Sequence, residues 1–237
     1  MSFEIIPAID VAGGRLAVHT PDGPSPLAAF GGDPLAAARA YAEAGARRAH
    51  VVDLDLAFGG SFANLDTIGA VAALGLKVQA SGGIATLTEA AQALAAGADR
   101  VVLGSGALLD EAVAREAIGA LGARLILGIE VDGGRIRPRG RAEGDLPLVE
   151  TLGWLVGSGA SGFLVTAVER VGEMRGPDLA IMEQVVRAGR PVIAAGGVAS
   201  VDDLQALRRA GAAGAVVGRA ALEGGLDLAD ALTRLDG

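Results

Sequence analysis

Two stretches of this chain are versions of one another. VQASGGIATLTEAAQALAAGADRVVLGSGAL (78–108) matches VIAAGGVASVDDLQALRRAGAAGAVVGRAAL (192–222) without a gap, at an offset of 114. IDVAGGRL (9–16) returns as IEVDGGRI (129–136), each time with a carboxylate second. DPLAAARAYAEAGA (33–46) resembles LPLVETLGWLVGSGA (146–160). A repeat sustained over most of 237 residues demands a fold whose halves, about 1–120 and 121–237, take the same shape. It also gives Asp10 and Glu130 equivalent positions.

The repeated unit alternates short apolar runs with Ala-rich stretches. The runs are 3–10, 49–55, 77–83, 100–105, 124–131, 162–168, 191–197 and 214–219, eight in all. Runs that are apolar at nearly every position suit strands covered on both faces, as in parallel sheets. The pieces between them carry helix punctuation. Asp33, Pro34 and Gly45 supply a cap, a first helical position and a stop. Thr86 and Glu89 form a capping-box pattern before the next helix. Eight β–α units predict an α/β fold, a single (β/α)8 TIM barrel over 1–237, built from two duplicated half-barrels. An open doubly wound sheet is the runner-up, but it usually has fewer strands and gives no reason for the repeat.

Composition narrows the function. The net charge of −8 argues against nonspecific nucleic-acid binding, which needs a basic face. Phosphorylated ligands stay open, because backbone N–H groups can hold phosphate. There is no cysteine, so disulfides, thiolate metal sites and cysteine nucleophiles are excluded, and two histidines are too few for a His-rich metal cluster. MSFEIIPAID lacks the basic start and cleavage site of a secretory leader, and no apolar run reaches ~18 residues. The expectation is a cytoplasmic protein with no membrane and no nucleic-acid partner.

Active sites of such barrels lie at the C-terminal ends of the strands. There the repeat places Gly82 and Gly83 opposite Gly196 and Gly197, and GSGAL (104–108) opposite GRAAL (218–222). Glycine lets backbone approach an anion, and the following turn presents free N–H groups. Gly82, Gly83, Gly104 and Ser105 are therefore expected to form one phosphate cradle, and Gly196, Gly197, Gly218 and Arg219 the other. The competing reading is that these glycines only allow close strand–helix packing. Two cradles fit a ligand with a phosphate at each end, whose middle would lie between Asp10 and Glu130. Two carboxylates can split acid and base work if their surroundings push their pKa values apart. Asp53, Asp55 and Thr166 end neighbouring strands, where they bind hydroxyls or orient a catalytic group; Asp53 serves equally well as a structural acceptor. His50 precedes an apolar run and reads as packed, and His19 is uncommitted. Arg137, Arg139, Arg141 and Arg175 are loop cations, either phosphate clamps or solvated side chains. No nucleophile elbow or P-loop is present.

IIPAID, VVDLDLAFGGSFANLD, SGGI, and AAGGV followed by VVGRAALEG resemble, over essentially the whole chain, the phosphoribosylformimino-5-aminoimidazole carboxamide ribotide isomerases of histidine biosynthesis. The resemblance implies a half-barrel duplication and a bis-phosphorylated small-molecule substrate. It implies an Amadori-type aldose–ketose isomerisation without metal or organic cofactor, and a monomer. By it, Asp10 is the general base, Glu130 stands where the family has an aspartate as general acid, and Thr166 assists near the sugar. Glu130 adds one methylene, roughly the 1.5 Å of a C–C bond. Val18, Leu56, Arg141 and Val171 also depart from the family pattern, standing for arginine, glycine, tryptophan and aspartate. Alternative readings are a dual-specificity isomerase also acting on phosphoribosyl anthranilate, the cyclase of the same pathway, and a repurposed, non-catalytic phosphosugar-binding barrel. Ala8 at the position of the cyclase's cysteine counts against the cyclase.

Overall fold

All eight apolar runs become parallel strands of one sheet. The computed structural model describes residues 3–20, 22–138, 142–171 and 173–235. In chain order these form β1 (Glu4–Ala12), β2 (Arg15–Thr20), β3 (Gly23–Pro26), α1 (Pro34–Glu43), β4 (Arg48–Asp53), α2 (Leu54–Gly59), α3 (Leu65–Ala73), β5 (Lys77–Ser81), α4 (Leu87–Ala95), β6 (Arg100–Leu103), α5 (Glu111–Leu121), β7 (Leu125–Asp132), β8 (Arg135–Ile136), β9 (Leu146–Pro147), α6 (Leu148–Gly157), β10 (Phe163–Ala167), α7 (Leu179–Val186), β11 (Val192–Ala195), α8 (Val201–Arg209), β12 (Gly214–Val217), α9 (Arg219–Leu222) and α10 (Leu228–Leu235). The parallel strands run in the order β1–β4–β5–β6–β7–β10–β11–β12, and β12 pairs with β1. The ring is closed, so it has no sheet edge to protect. Counting around it, β1 faces β7, β5 faces β11, and β6 faces β12.

The helices start where the sequence puts their caps. Asp33 accepts from the Leu35 N–H, Pro34 occupies the first helical position, and Gly45 follows α1 at φ +97. The Thr86–Glu89 capping box of α4 forms, and Ser200 and Asp203 repeat it at α8.

Side-chain alternation then sorts the core into two layers. Ile5, Ile9 and Val11 of β1 pack outward under the helices, in the larger apolar cluster. Ile6 and Ala8 point into the barrel, where they meet Val102, Ile126, Leu164, Ile193 and Val216. The strands β4 and β5 contribute polar groups to this interior instead: His50 and Gln79, both buried. Two antiparallel excursions, β2–β3 after β1 and β8–β9 after β7, rise from the C-terminal rim.

Candidate active site

Asp10 and Glu130 are walls of the same cavity, which has a volume of about 220 Å³. Each follows from strand alternation. Ala8 faces the interior, so Asp10, two residues on, does too, at the level where β1 runs beside Val52 of β4. On the far side of the ring Glu130 stands beside Thr166 of β10, and Thr166 beside Ala195 of β11. Thr166, Ala195 and Val52 are all cavity walls.

The glycines form two matching corners of this cavity. Gly82 and Gly83 follow β5 with φ +96 and +73; Gly196 and Gly197 follow β11 with φ +93 and +82. These left-handed turns are open to glycine at no steric cost. Packing requires glycine as well. A Cβ on Gly83 would sit 2.6 Å from the Ala57 Cα, and one on Gly197 2.3 Å from the Gly176 carbonyl oxygen. The same glycines line the cavity. Gly104 and Gly218 line it too. The Gly104 N–H is occupied by the Ile84 carbonyl at 2.7 Å. Arg219 is also a wall, its guanidinium held by Glu223 at 2.9 and 3.2 Å.

Ser105, Asp53 and Asp55 are not walls. Ser105 is fully buried, and its Oγ donates to Glu130 Oε2. Asp53 is fully buried: Oδ1 accepts from the Leu56 N–H and Oδ2 from the Asn64 N–H, both at 2.8 Å. Burial pushes its carboxyl up, against the pull of those two hydrogen bonds. Asp55 works one level out. It accepts from the Gly13 N–H at 2.7 Å and from Asn64 Nδ2 at 2.9 Å, while Asn64 Oδ1 takes the Gly14 N–H at 2.9 Å. The β1–β2 hairpin, which brings Val18 and His19 to the cavity, is therefore clamped by Asp53, Asp55 and Asn64.

Other walls carried no strong sequence signal. His19 stacks obliquely on Phe58 with ring centroids 5.1 Å apart, and both line the cavity. His50 is a wall one layer below Asp10. Burial, reinforced by the positive Arg100, lowers its pKa to about 3, so it is neutral. Tyr41 of α1 donates to the Ala8 carbonyl at 3.2 Å, and burial with the nearby Asp10 charge pushes its phenol up. Of the departing positions, Val18 and Val171 are walls, whereas Leu56 is core. Arg137 pairs with Asp132 at 2.6 Å and Arg175 with Glu173. Arg139 and Arg141 lie outside the described residues.

Among the described residues no helix is long and apolar enough to cross a membrane. The sequence profile of the family described as histidine biosynthesis protein matches residues 4–227. A protein of Paracoccus denitrificans is 39% identical over 235 residues, covering 98% of this chain and 99% of its own. One of Salinispora arenicola is 40% identical over 240 residues, covering 99% of each. One of Renibacterium salmoninarum is 39% identical over 238 residues, covering 98% and 96%. All three bear the name 1-(5-phosphoribosyl)-5-((5-phosphoribosylamino)methylideneamino) imidazole-4-carboxamide isomerase. With a closed eight-stranded barrel, paired carboxylates in its mouth and relatives alike from end to end, this chain belongs to the histidine biosynthesis protein family.

Proposed function

We propose that this chain catalyses the aldose–ketose isomerisation of the bis-phosphorylated aminoimidazole carboxamide ribonucleotide named in its relatives. One observation carries the reading: Asp10 and Glu130, from opposite strands of the ring, border a single cavity whose remaining corners are the twin glycine turns. A substrate with a phosphoribosyl group at each end places one phosphate at each corner. Gly82, Gly83, Gly104 and the turn beginning at Ser105 take one; Gly196, Gly197, Gly218 and Arg219 take the other. The first N–H groups of such turns have no partner within the helix and suit an anion.

The chemistry follows from what lies between the corners. Glu130 gives a proton to the ribosyl ring oxygen as the ring C1–O bond breaks, and the nitrogen lone pair forms a C=N bond at C1. Asp10 removes the proton on C2, and the electrons of that C–H bond form an enaminol. Loss of the enol proton and protonation at C1 then give the aminoketose. Thr166, beside Glu130 in register, holds a sugar hydroxyl in this reading. Asp53 supports the site through the α2 turn rather than by touching the ligand. The reading carries with it a monomer working in the cytoplasm on a small molecule.

The test is turnover of the aminoaldose, with phosphoribosyl anthranilate as the second substrate. Conversion is expected for the first. An Asp10→Asn chain should lose ~10²- to 10⁴-fold in rate, the usual contribution of a general base, and still bind the substrate. Full activity in that variant would remove Asp10 from the mechanism. Binding without conversion by the unaltered chain would leave only a phosphosugar-binding barrel.

A further inference from the structure

Beneath the two carboxylates runs a chain of polar contacts that the isomerisation steps do not use. His50 Nδ1 lies 2.8 Å from Gln79 Nε2. Gln79 Oε1 accepts from Arg100 Nε at 2.6 Å. Arg100 in turn reaches Glu4 Oε2 at 3.3 Å, and Glu4 Oε1 takes Arg48 Nε at 3.1 Å. The direction of this chain is forced. A guanidinium only donates, so the end of Gln79 facing Arg100 is its oxygen. The other end is then the NH₂ group, which donates, and the imidazole nitrogen it meets must accept. A neutral imidazole has one proton, which is left on Nε2. A doubly protonated ring would set N–H against N–H at the Gln79 contact.

The repeat shows that the barrel does not need this chain. At the offset of 114, His50, Gln79 and Arg100 correspond to Leu164, Ile193 and Gly214. Leu164 and Ile193 belong to the apolar interior cluster. One half fills the first two places with hydrocarbon; the other buries His50 and Gln79 there, which costs free energy unless their polar atoms are satisfied. Gln79 Nε2, Gln79 Oε1 and His50 Nδ1 each have a partner. Among the described residues, His50 Nε2 has no protein hydrogen-bond partner, and the His50 ring, nine-tenths or more buried, is a wall of the cavity.

We infer that Gln79, held by Arg100, is a positioning residue that fixes His50 as the Nε2–H tautomer, so that the cavity beneath Asp10 offers its ligand a neutral hydrogen-bond donor. The ligand atom it suits is an oxygen acceptor, a hydroxyl or ring oxygen of the sugar. Only the identity of that atom rests on the isomerase reading; the tautomer does not.

The test separates the two. Nitrogen-15 NMR of the labelled chain at pH 7, with the His50 signals identified by their loss in His50→Gln, should show Nδ1 unprotonated and Nε2 protonated. In Gln79→Glu a carboxylate faces Nδ1 and only accepts, so the proton should appear on Nδ1. Gln79→Met, of similar volume and without polar atoms, should leave a mixture of tautomers. In turnover assays Gln79→Glu should lower kcat/KM about tenfold, the scale of one hydrogen bond. Gln79→Met should fall between it and the unaltered chain. A protonated Nδ1 in the unaltered chain, or His50 signals indifferent to Gln79→Glu, overturns the inference even if turnover is intact. If the unaltered chain shows no turnover while the signals behave as expected, the isomerase reading fails and the tautomer assignment stands.

Discussion

Ser105 shows how a residue type found from sequence can hold a different place in the structure. The GSGAL turn points to phosphate, yet the Ser105 hydroxyl is fully buried and bound to Glu130. Kinetics separate the two roles. If Ser105 positions the acid, Ser105→Ala should lower kcat by up to ~10²-fold, the cost of misplacing a reacting group by about 1 Å, with KM little changed. If it grips phosphate, KM should rise and kcat hold. We expect the first. Asp10, Glu130 and Thr166 line the cavity at the strand ends, where the repeat and the strand pattern put them without knowledge of any contact. Asp53 was not resolved between two roles, since a strand-end aspartate looks the same whether it caps a turn or meets a ligand. His50 read as packed; what marks it is that its repeat partner is Leu164, a difference that gains meaning once both are known to face the barrel interior.

At the level of elements, the eight parallel strands could be found because each is a continuous apolar run, while β2, β3, β8 and β9 could not. They are two to six residues long and exposed on one side, so neither length nor periodicity sets them apart from loop. Their equivalence is also incomplete. The β1–β2 turn is clamped by Asp55 and Asn64, whereas among the described residues no side-chain hydrogen bond holds Gly133 or Gly134 at the β7–β8 turn. At the offset of 114 the Asp53 that holds the Asn64 N–H has Ala167 as its counterpart, so the second half lacks that anchor. Asp55→Ala should therefore speed amide exchange at Gly13 and Gly14 and cost about 0.5–1.5 kcal/mol, the net worth of a hydrogen bond whose exposed donor water can take up. Exchange at Gly133 and Gly134 should not change. The glycine corners are less forgiving than the hairpin turns. Gly83→Ala forces a Cβ to within 2.6 Å of Ala57 Cα at positive φ and should cost at least ~2 kcal/mol. Gly13→Ala, with nothing within 4 Å, should cost only the left-handed backbone, about 1–2 kcal/mol. Denaturant midpoints of the two variants check the order.

Across the whole molecule the duplication supplies symmetry and the substitutions within it supply difference. Ile193 and Leu164 fill one side of the interior, and Gln79 and His50 the other, so one half answers to pH in a way its copy does not. The sign follows from the His50 shift. Its folded pKa is near 3 against 6.5 when unfolded, through burial first and Arg100 second. Above pH 6.5 both states are neutral and the fold keeps its full stability. As pH falls below 6.5 the unfolded chain takes up a proton that the folded chain refuses until about pH 3, so stability declines across that window. One proton's difference gives a slope of up to about 1.4 kcal/mol per pH unit. Urea unfolding at steps from pH 7.5 to 4.5 should show this decline in the unaltered chain and a shallower one in His50→Gln, whatever that variant's stability at pH 7.5. Parallel profiles for the two chains would mean that His50 is protonated in the fold, and with it that the barrel's polar side is wetter than its burial indicates.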